Sequence, residues 1–207
     1  MNPRRRFAVL ISGSGTNLQA ILNALAAGRI GGELAVVLSN RPEAGGLARA
    51  QATGVPTEVL SHRAFATREA YDEALVSLLR GYDVDLVVLA GFMRILTPGF
   101  IRAFPERILN THPSLLPAFP GKDAIPQTLA AGVKVSGCTL HFVEEAVDAG
   151  PIIAQVAVPV LETDDVDDLT ARIQRVEHST YPKVIHKVLT GQVRVEGRIV
   201  HVAGGGP

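Results

Sequence analysis

Short apolar runs alternate with helical patterns through the first half of the chain. Residues 7–11, 34–38, 57–60 and 86–90 are rich in valine and leucine, as expected for strands buried on both faces. Between them, residues 18–27, 44–53 and 68–80 carry helical spacing. Leu18, Ile21, Leu22 and Leu25 fall on one face of the first of these, and Gly28 suits its C-terminal end. Alternating strand and helix predicts right-handed βαβ units and a parallel sheet covered on both sides. The second half reads differently. Residues 107–110 form another buried run, whereas 135–143 and 151–160 are longer and alternate more, which predicts paired strands. A helical stretch at 166–189 contains Pro182, where a kink or break is expected. Residues 193–200 have a hairpin pattern around Glu196-Gly197. The expectation is one α/β domain with a mixed sheet, whose ligand sits at the carboxyl ends of the strands. It spans 1–207, with a core at about 7–190 set by the strand and helix pattern, then a hairpin and a flexible tail over 204–207.

Composition narrows the class. The chain has 207 residues, 47% hydrophobic and 19% charged, so it can bury a sizeable core and reads as globular. Lys plus Arg number 20 and Asp plus Glu number 20. That balance argues against a nucleic-acid partner but leaves room for a local basic pocket. The single cysteine, Cys138, excludes an internal disulfide and fits a reducing compartment. Arg4, Arg5 and Arg6 before an apolar run superficially copy a secretion signal, but the run is too short. The longest apolar stretch, at 86–93, is far below a membrane span. A cytoplasmic protein without a membrane partner is expected.

Ser12-Gly13-Ser14-Gly15-Thr16-Asn17 joins the first strand to the first helix. Free amides at a helix N-terminus favour an anion, so a phosphate cradle competes with a plain strand-to-helix turn. A dinucleotide fingerprint is a third reading. It wants another glycine where Leu18 stands and an acidic residue at the end of the second strand, which instead runs Leu38-Ser39-Asn40. Glu33 lies at the wrong end of that strand. A mononucleotide-like phosphate is therefore preferred.

Asn110-Thr111-His112-Pro113 follows directly on a buried run. If strand geometry continues, Asn110 and His112 point to the same side, bringing an amide donor and an imidazole together. Such a pair can hold a developing oxyanion and move a proton near neutral pH. The pair alone is equally consistent with a hydrogen-bonded structural histidine. Asp148-Ala149-Gly150-Pro151 reads as a turn or as the source of a carboxylate partner for histidine. The six histidines show no metal-ligand spacing and Cys138 stands alone, so no metal is expected. Arg68 and Arg94 are anion handles or surface charges. Phe92 and Met93 are core or pocket lining, and Glu177-His178 reads as an exposed helical pair.

Together these motifs become specific. Ile11-Ser-Gly-Ser-Gly-Thr-Asn-Leu-Gln-Ala20, Val88-Leu-Ala-Gly-Phe-Met-Arg-Ile-Leu96, Asn110-Thr-His-Pro-Ser-Leu-Leu-Pro117, Gly137-Cys-Thr-Leu-His-Phe-Val143, Val147-Asp-Ala-Gly-Pro151 and Glu177-His178 with Tyr181-Pro182 resemble the phosphoribosylglycinamide formyltransferases. These are folate-dependent members of the formyltransferase superfamily. The resemblance covers nearly the whole chain. It implies a Rossmann-like formyltransferase fold, with a mostly parallel central sheet, helices on both faces and an antiparallel part in the C-terminal half. It also implies transfer of a formyl group from 10-formyltetrahydrofolate to the amine of glycinamide ribonucleotide in purine synthesis.

By that resemblance Asn110, His112 and Asp148 form the catalytic trio. Gly15, Thr16 and Asn17 cradle the phosphate with Gln174 nearby, and Glu177 holds the ribose hydroxyls. Arg68, Met93, Arg94, Ile95, Leu96, Val143 and Glu144 belong to the folate side, with Phe92 and Ile108 adding apolar lining. Ile125 stands where some members carry a histidine, with Pro126 after it, a departure that bears on local loop shape and folate-side contacts. The family includes dimers, leaving a homodimer open. Its sister enzymes share the trio: methionyl-tRNA formyltransferases add an RNA-binding domain, and formyltetrahydrofolate hydrolases add a regulatory one. The length fits neither well. A non-catalytic nucleotide-binding module would explain the glycine loop but not the Asn110 and His112 pair.

Overall fold

Strand β1 (Arg6–Ile11) lies near the middle of a seven-stranded sheet in the computed structural model, which describes residues 5–204. Its parallel neighbours are β2 (Glu33–Ser39) and β4 (Leu86–Leu89). Beyond them lie β3 (Thr57–Val59) on one side and β5 (Ile108–His112) on the other, also parallel. β6 (Val135–Phe142) and β7 (Ile152–Pro159) then add antiparallel, so the order is β3-β2-β1-β4-β5-β6-β7. From β1 the strands add first on one side, as β2 and β3, and then on the other, from β4 onward, and this reversal opens a crevice between the ends of β1 and β4. The expected mixed sheet is observed, and β8 (Val193–Glu196) with β9 (Ile199–Val202) forms the expected hairpin, turning at Gly197-Arg198. The tail beyond Gly204 lies outside the described residues.

Alternation along the strands sorts two cores. Val9, Ile11, Val37, Val88 and Leu109 face α1 (Thr16–Ala26) and α6 (Val166–Leu189). Ala8, Leu10, Val36, Leu38, Val87 and Ile108 pack with residues of α3 (Arg68–Gly81) and α4 (Pro98–Ala103). Helix α1 closes with Gly28 N–H on the Leu25 carbonyl and Arg29 N–H on the Ala24 carbonyl, a Schellman arrangement that satisfies its last acceptors. The short helices α2 (Gly45–Gln51) and α5 (Ala124–Ala130) complete the cover. Ile125 packs against the α1/α6 core and Pro126 falls in the first turn of α5, where a missing N–H costs little. Both residues thus lie in a helix.

The break expected at Pro182 does not occur: α6 runs unbroken from Val166 to Leu189. Proline removes one helical hydrogen bond, but the flanking Tyr181, Val184 and Ile185 are fully or almost fully buried and hold the helix to the sheet. The Tyr181 hydroxyl lies 2.9 Å from the Leu89 carbonyl and 3.1 Å from that of Leu109. It thereby bridges the carboxyl end of β4 and the first half of β5. Tyr181→Phe leaves those carbonyls without that donor and is expected to lower stability by about 1–2 kcal/mol, read from urea unfolding.

Candidate active site

The glycine loop owes its shape to close backbone approach. Gly15 has φ 73°, and a Cβ there would come within 2.7 Å of the Gly46 Cα. A side chain would push α2 away. The loop leads into α1, which carries no side-chain N-cap, so the amides near Thr16 and Asn17 remain available to an anion. Opposite them, α6 presents Gln174 and Glu177 one turn apart. Glu177 accepts from Asn17 Nδ2 at 3.0 Å and from Thr111 Oγ1 at 2.9 Å. It is only 5% exposed, not the exposed helical residue its neighbours suggested.

Burial pushes the Glu177 carboxyl above its ordinary range, opposed by the Asn17 and Thr111 hydrogen bonds. A raised carboxyl favours folding below its unfolded value, and that contribution fades as pH rises through the folded value. Glu177→Gln is therefore expected to gain stability relative to the native chain at neutral pH and to lose that gain under acid. Thermal melts across pH check this. A flat difference would mean that Glu177 titrates as it does in the unfolded chain.

Strand β5 extends to His112, so Asn110 and His112 do share one side of the sheet, with Thr111 turned to α6. Asp148 sits between β6 and β7 at φ 51°, in a left-handed conformation that aspartate tolerates better than most residues. Its Oδ2 lies 3.2 Å from His112 Nδ1 and accepts the Gly121 N–H at 2.7 Å. The other ring nitrogen, Nε2, is 2.8 Å from the Phe119 carbonyl. Both neighbours are acceptors, so both contacts are satisfied at once only when each ring nitrogen carries hydrogen.

His141 completes the cluster and had no assigned role in the sequence reading. It is 1% exposed and pairs with Asn110 across β5 and β6. Its Nδ1 donates to the Phe142 carbonyl at 2.8 Å, leaving Nε2 to accept from Asn110 Nδ2 at 3.3 Å. Burial lowers its pKa, which suits that neutral tautomer. His141 thus fixes which way the Asn110 amide points. Nε2 also lies 3.7 Å from Asp148 Oδ1. Among the described residues no group of three or more His, Cys, Asp or Glu is arranged to hold a metal ion. Cys138 is buried, and its thiol is pushed up to about 12 by that burial. It is no nucleophile at neutral pH.

The segment after β4 forms the opposite wall. Its backbone is tied to the glycine loop: Ser12 N–H donates to the Gly91 carbonyl, and Met93 N–H donates to Ser12 Oγ at 2.9 Å. Ser12 in turn donates to Asn40 Oδ1 at 2.6 Å, joining the ends of β1, β2 and β4. Arg68 donates to the Ile95 carbonyl at 2.9 Å, so the structure brings these two sequence candidates together. Met93 and Ile95 are exposed, Leu96 is buried, and the Arg94 guanidinium lies 4.7 Å from the centre of the Tyr71 ring. Val143 packs beside the α3/α4 core and Glu144 is exposed at the start of the Asp148 loop. The trio and the glycine loop thus share the carboxyl-end crevice. The arrangement supplies an amide donor, an imidazole and a half-buried carboxylate, and so can stabilise an oxyanion and carry a proton.

The formyl transferase family model matches residues 5–185. Phosphoribosylglycinamide formyltransferase of Escherichia coli is 46% identical over 187 residues, which are 90% of this chain and 88% of that protein. The trifunctional purine biosynthetic protein adenosine-3 of Drosophila melanogaster is 47% identical over 95% of this chain, which spans only 15% of that relative. Glycinamide ribonucleotide transformylase 1 from Symbiobacterium toebii superposes with a TM-score of 0.95 at 53% identity, covering 98% of this chain and 95% of that one.

Proposed function

Since the chain belongs to the formyl transferase family, we propose that it transfers a formyl group from 10-formyltetrahydrofolate to the amine of 5-phosphoribosylglycinamide, a step of purine biosynthesis. The observation that carries this reading is the meeting of Asn110, His112 and Asp148 beside a glycine loop suited to phosphate. The amine attacks the formyl carbon directly, forming a carbon–nitrogen bond and an oxyanion. Asn110 and the His112 ring stabilise that oxyanion, which requires the Phe119 carbonyl to give way at His112 Nε2. Asp148 holds the other side of the ring. The bond to the folate nitrogen then breaks, and the proton lost by the amine is delivered to that nitrogen through water held by Asp148. No covalent enzyme intermediate is involved.

On the same reading Gly15, Thr16, Asn17 and Gln174 bind the phosphate, and Glu177 takes the ribose hydroxyls through lone pairs left over from Asn17 and Thr111. The pterin is read along residues 93–96 and 144–148 with Val143 as apolar lining, and Arg68 meets the folate tail. The reducing cytoplasm suits a chain whose one thiol is buried. The deciding experiment supplies purified protein with the formyl donor and, in parallel, glycinamide ribonucleotide, initiator methionyl-tRNA or water alone. Formylated ribonucleotide detected by mass supports the proposal. Formate release or tRNA formylation without that product overturns it.

A further inference from the structure

The proposed phosphate cradle has a physical deficit. Gly15, Thr16, Asn17, Gln174 and Glu177 include no cationic side chain, and one of them is a carboxylate. A phosphate monoester carries between one and two negative charges near neutral pH, and backbone amides at a helix end supply only about half a positive charge. Positive charge has to come from elsewhere.

A cavity of about 580 Å³ opens between α1 and α6 and shares Thr16 with the cradle. Arg29, Arg49, Arg175 and Lys183 line it, and no Asp or Glu does. Among the described residues none of these four enters an ion pair, although the whole chain is electrically balanced. Arg49 is fixed at the loop itself: its Nε donates to the Ser14 carbonyl at 2.8 Å and its Nη1 to Gln19 Oε1 at 3.1 Å. Both partners are neutral, so its charge stays uncompensated. Arg175 follows Gln174 on α6. His178, which also lines the cavity, leaves its buried Nε2 without a hydrogen-bond partner.

We propose that this groove is the cationic wall of the phosphate subsite. It supplies the charge that the cradle lacks and makes the enzyme select a phosphorylated glycinamide riboside. The inference rests on the ribonucleotide reading above. Arg49 acts at the loop, while Arg175 and Lys183 act through the field they add at the groove mouth, which concentrates anions and speeds their capture.

Calorimetric titration of glycinamide ribonucleotide into the full chain tests this, comparing the native protein with R175E/K183E. Both side chains are exposed, so the reversal spares the core. Binding of a folate analogue to each protein reports that the fold is intact. The double variant is expected to bind the ribonucleotide at least about tenfold more weakly at low salt, with folate affinity retained. Raising salt from about 0.01 M to about 1 M, which shortens the screening length from about 30 Å to about 3 Å, weakens native binding and nearly erases the difference. Equal affinities at low salt, or a difference that persists at high salt, overturn the groove's role. A native chain that binds the folate analogue but no ribonucleotide overturns the substrate reading instead.

Discussion

His112→Ala is expected to lower kcat by about 10²–10⁴-fold. The imidazole is the group best placed to meet the oxyanion, and its loss also strands the Asp148 carboxylate. That carboxylate is 10% exposed at the side chain, so a water must take the vacated hydrogen bond. A buried oxyanion left with only the Asn110 amide lacks the stronger of its two donors. Steady-state rates with both substrates saturating measure the effect, and a cooperative thermal melt shows that the variant is folded. Turnover within a few-fold of the native protein would remove His112 from the chemistry.

Gly150→Ala is expected to be the most damaging single methyl group near the site. A Cβ at Gly150 would overlap the Phe142 carbonyl. That carbonyl already accepts from His141 Nδ1, and Phe142 N–H donates to the Pro151 carbonyl at 3.0 Å. Relief requires the Asp148 loop to lift from β6, which separates Asp148 from His112 and frees His141 from its tautomer-setting acceptor. A loss of about 3 kcal/mol or more is expected from such backbone overlap, together with loss of activity. Urea unfolding and rate measurements on the same preparation check both. A variant as stable and as active as the native chain would show that the loop has slack the packing does not reveal.

The parallel half of the sheet was legible because its central strands β1, β2 and β4 are rich in buried apolar residues, and both faces are covered as such runs require. Helices α4 and α5 were missed for the converse reason: each is too short to show helical periodicity. For α4 the signal lay at its cap, since Thr97 accepts from Phe100 N–H and Pro98 opens the first turn. For α5 no side-chain cap was available, as Asp123 adopts a left-handed conformation and its side chain does not bond the helix. Pro182 misled because proline's local cost was read without the tertiary contacts of Tyr181 that outweigh it. In the site, Asn110 and His112 were legible through strand alternation. His141 and the Ser12–Asn40 bond were not, because their meaning lies in which strands pair and in what register. His141 stands within an apolar run and reads there as core.

The Glu177 contact joins residues 160 positions apart through Asn17 and 66 apart through Thr111. Helix α6 lies far along the chain from both partners, so this corner of the crevice cannot exist until that helix has been made and has docked. A ribonucleotide held there would bind only once α6 is docked, stabilising that docked state by mass action. Substrate would in this way act as a fastener between the start of α1 and α6, and slowed amide exchange in α6 would be the trace it leaves.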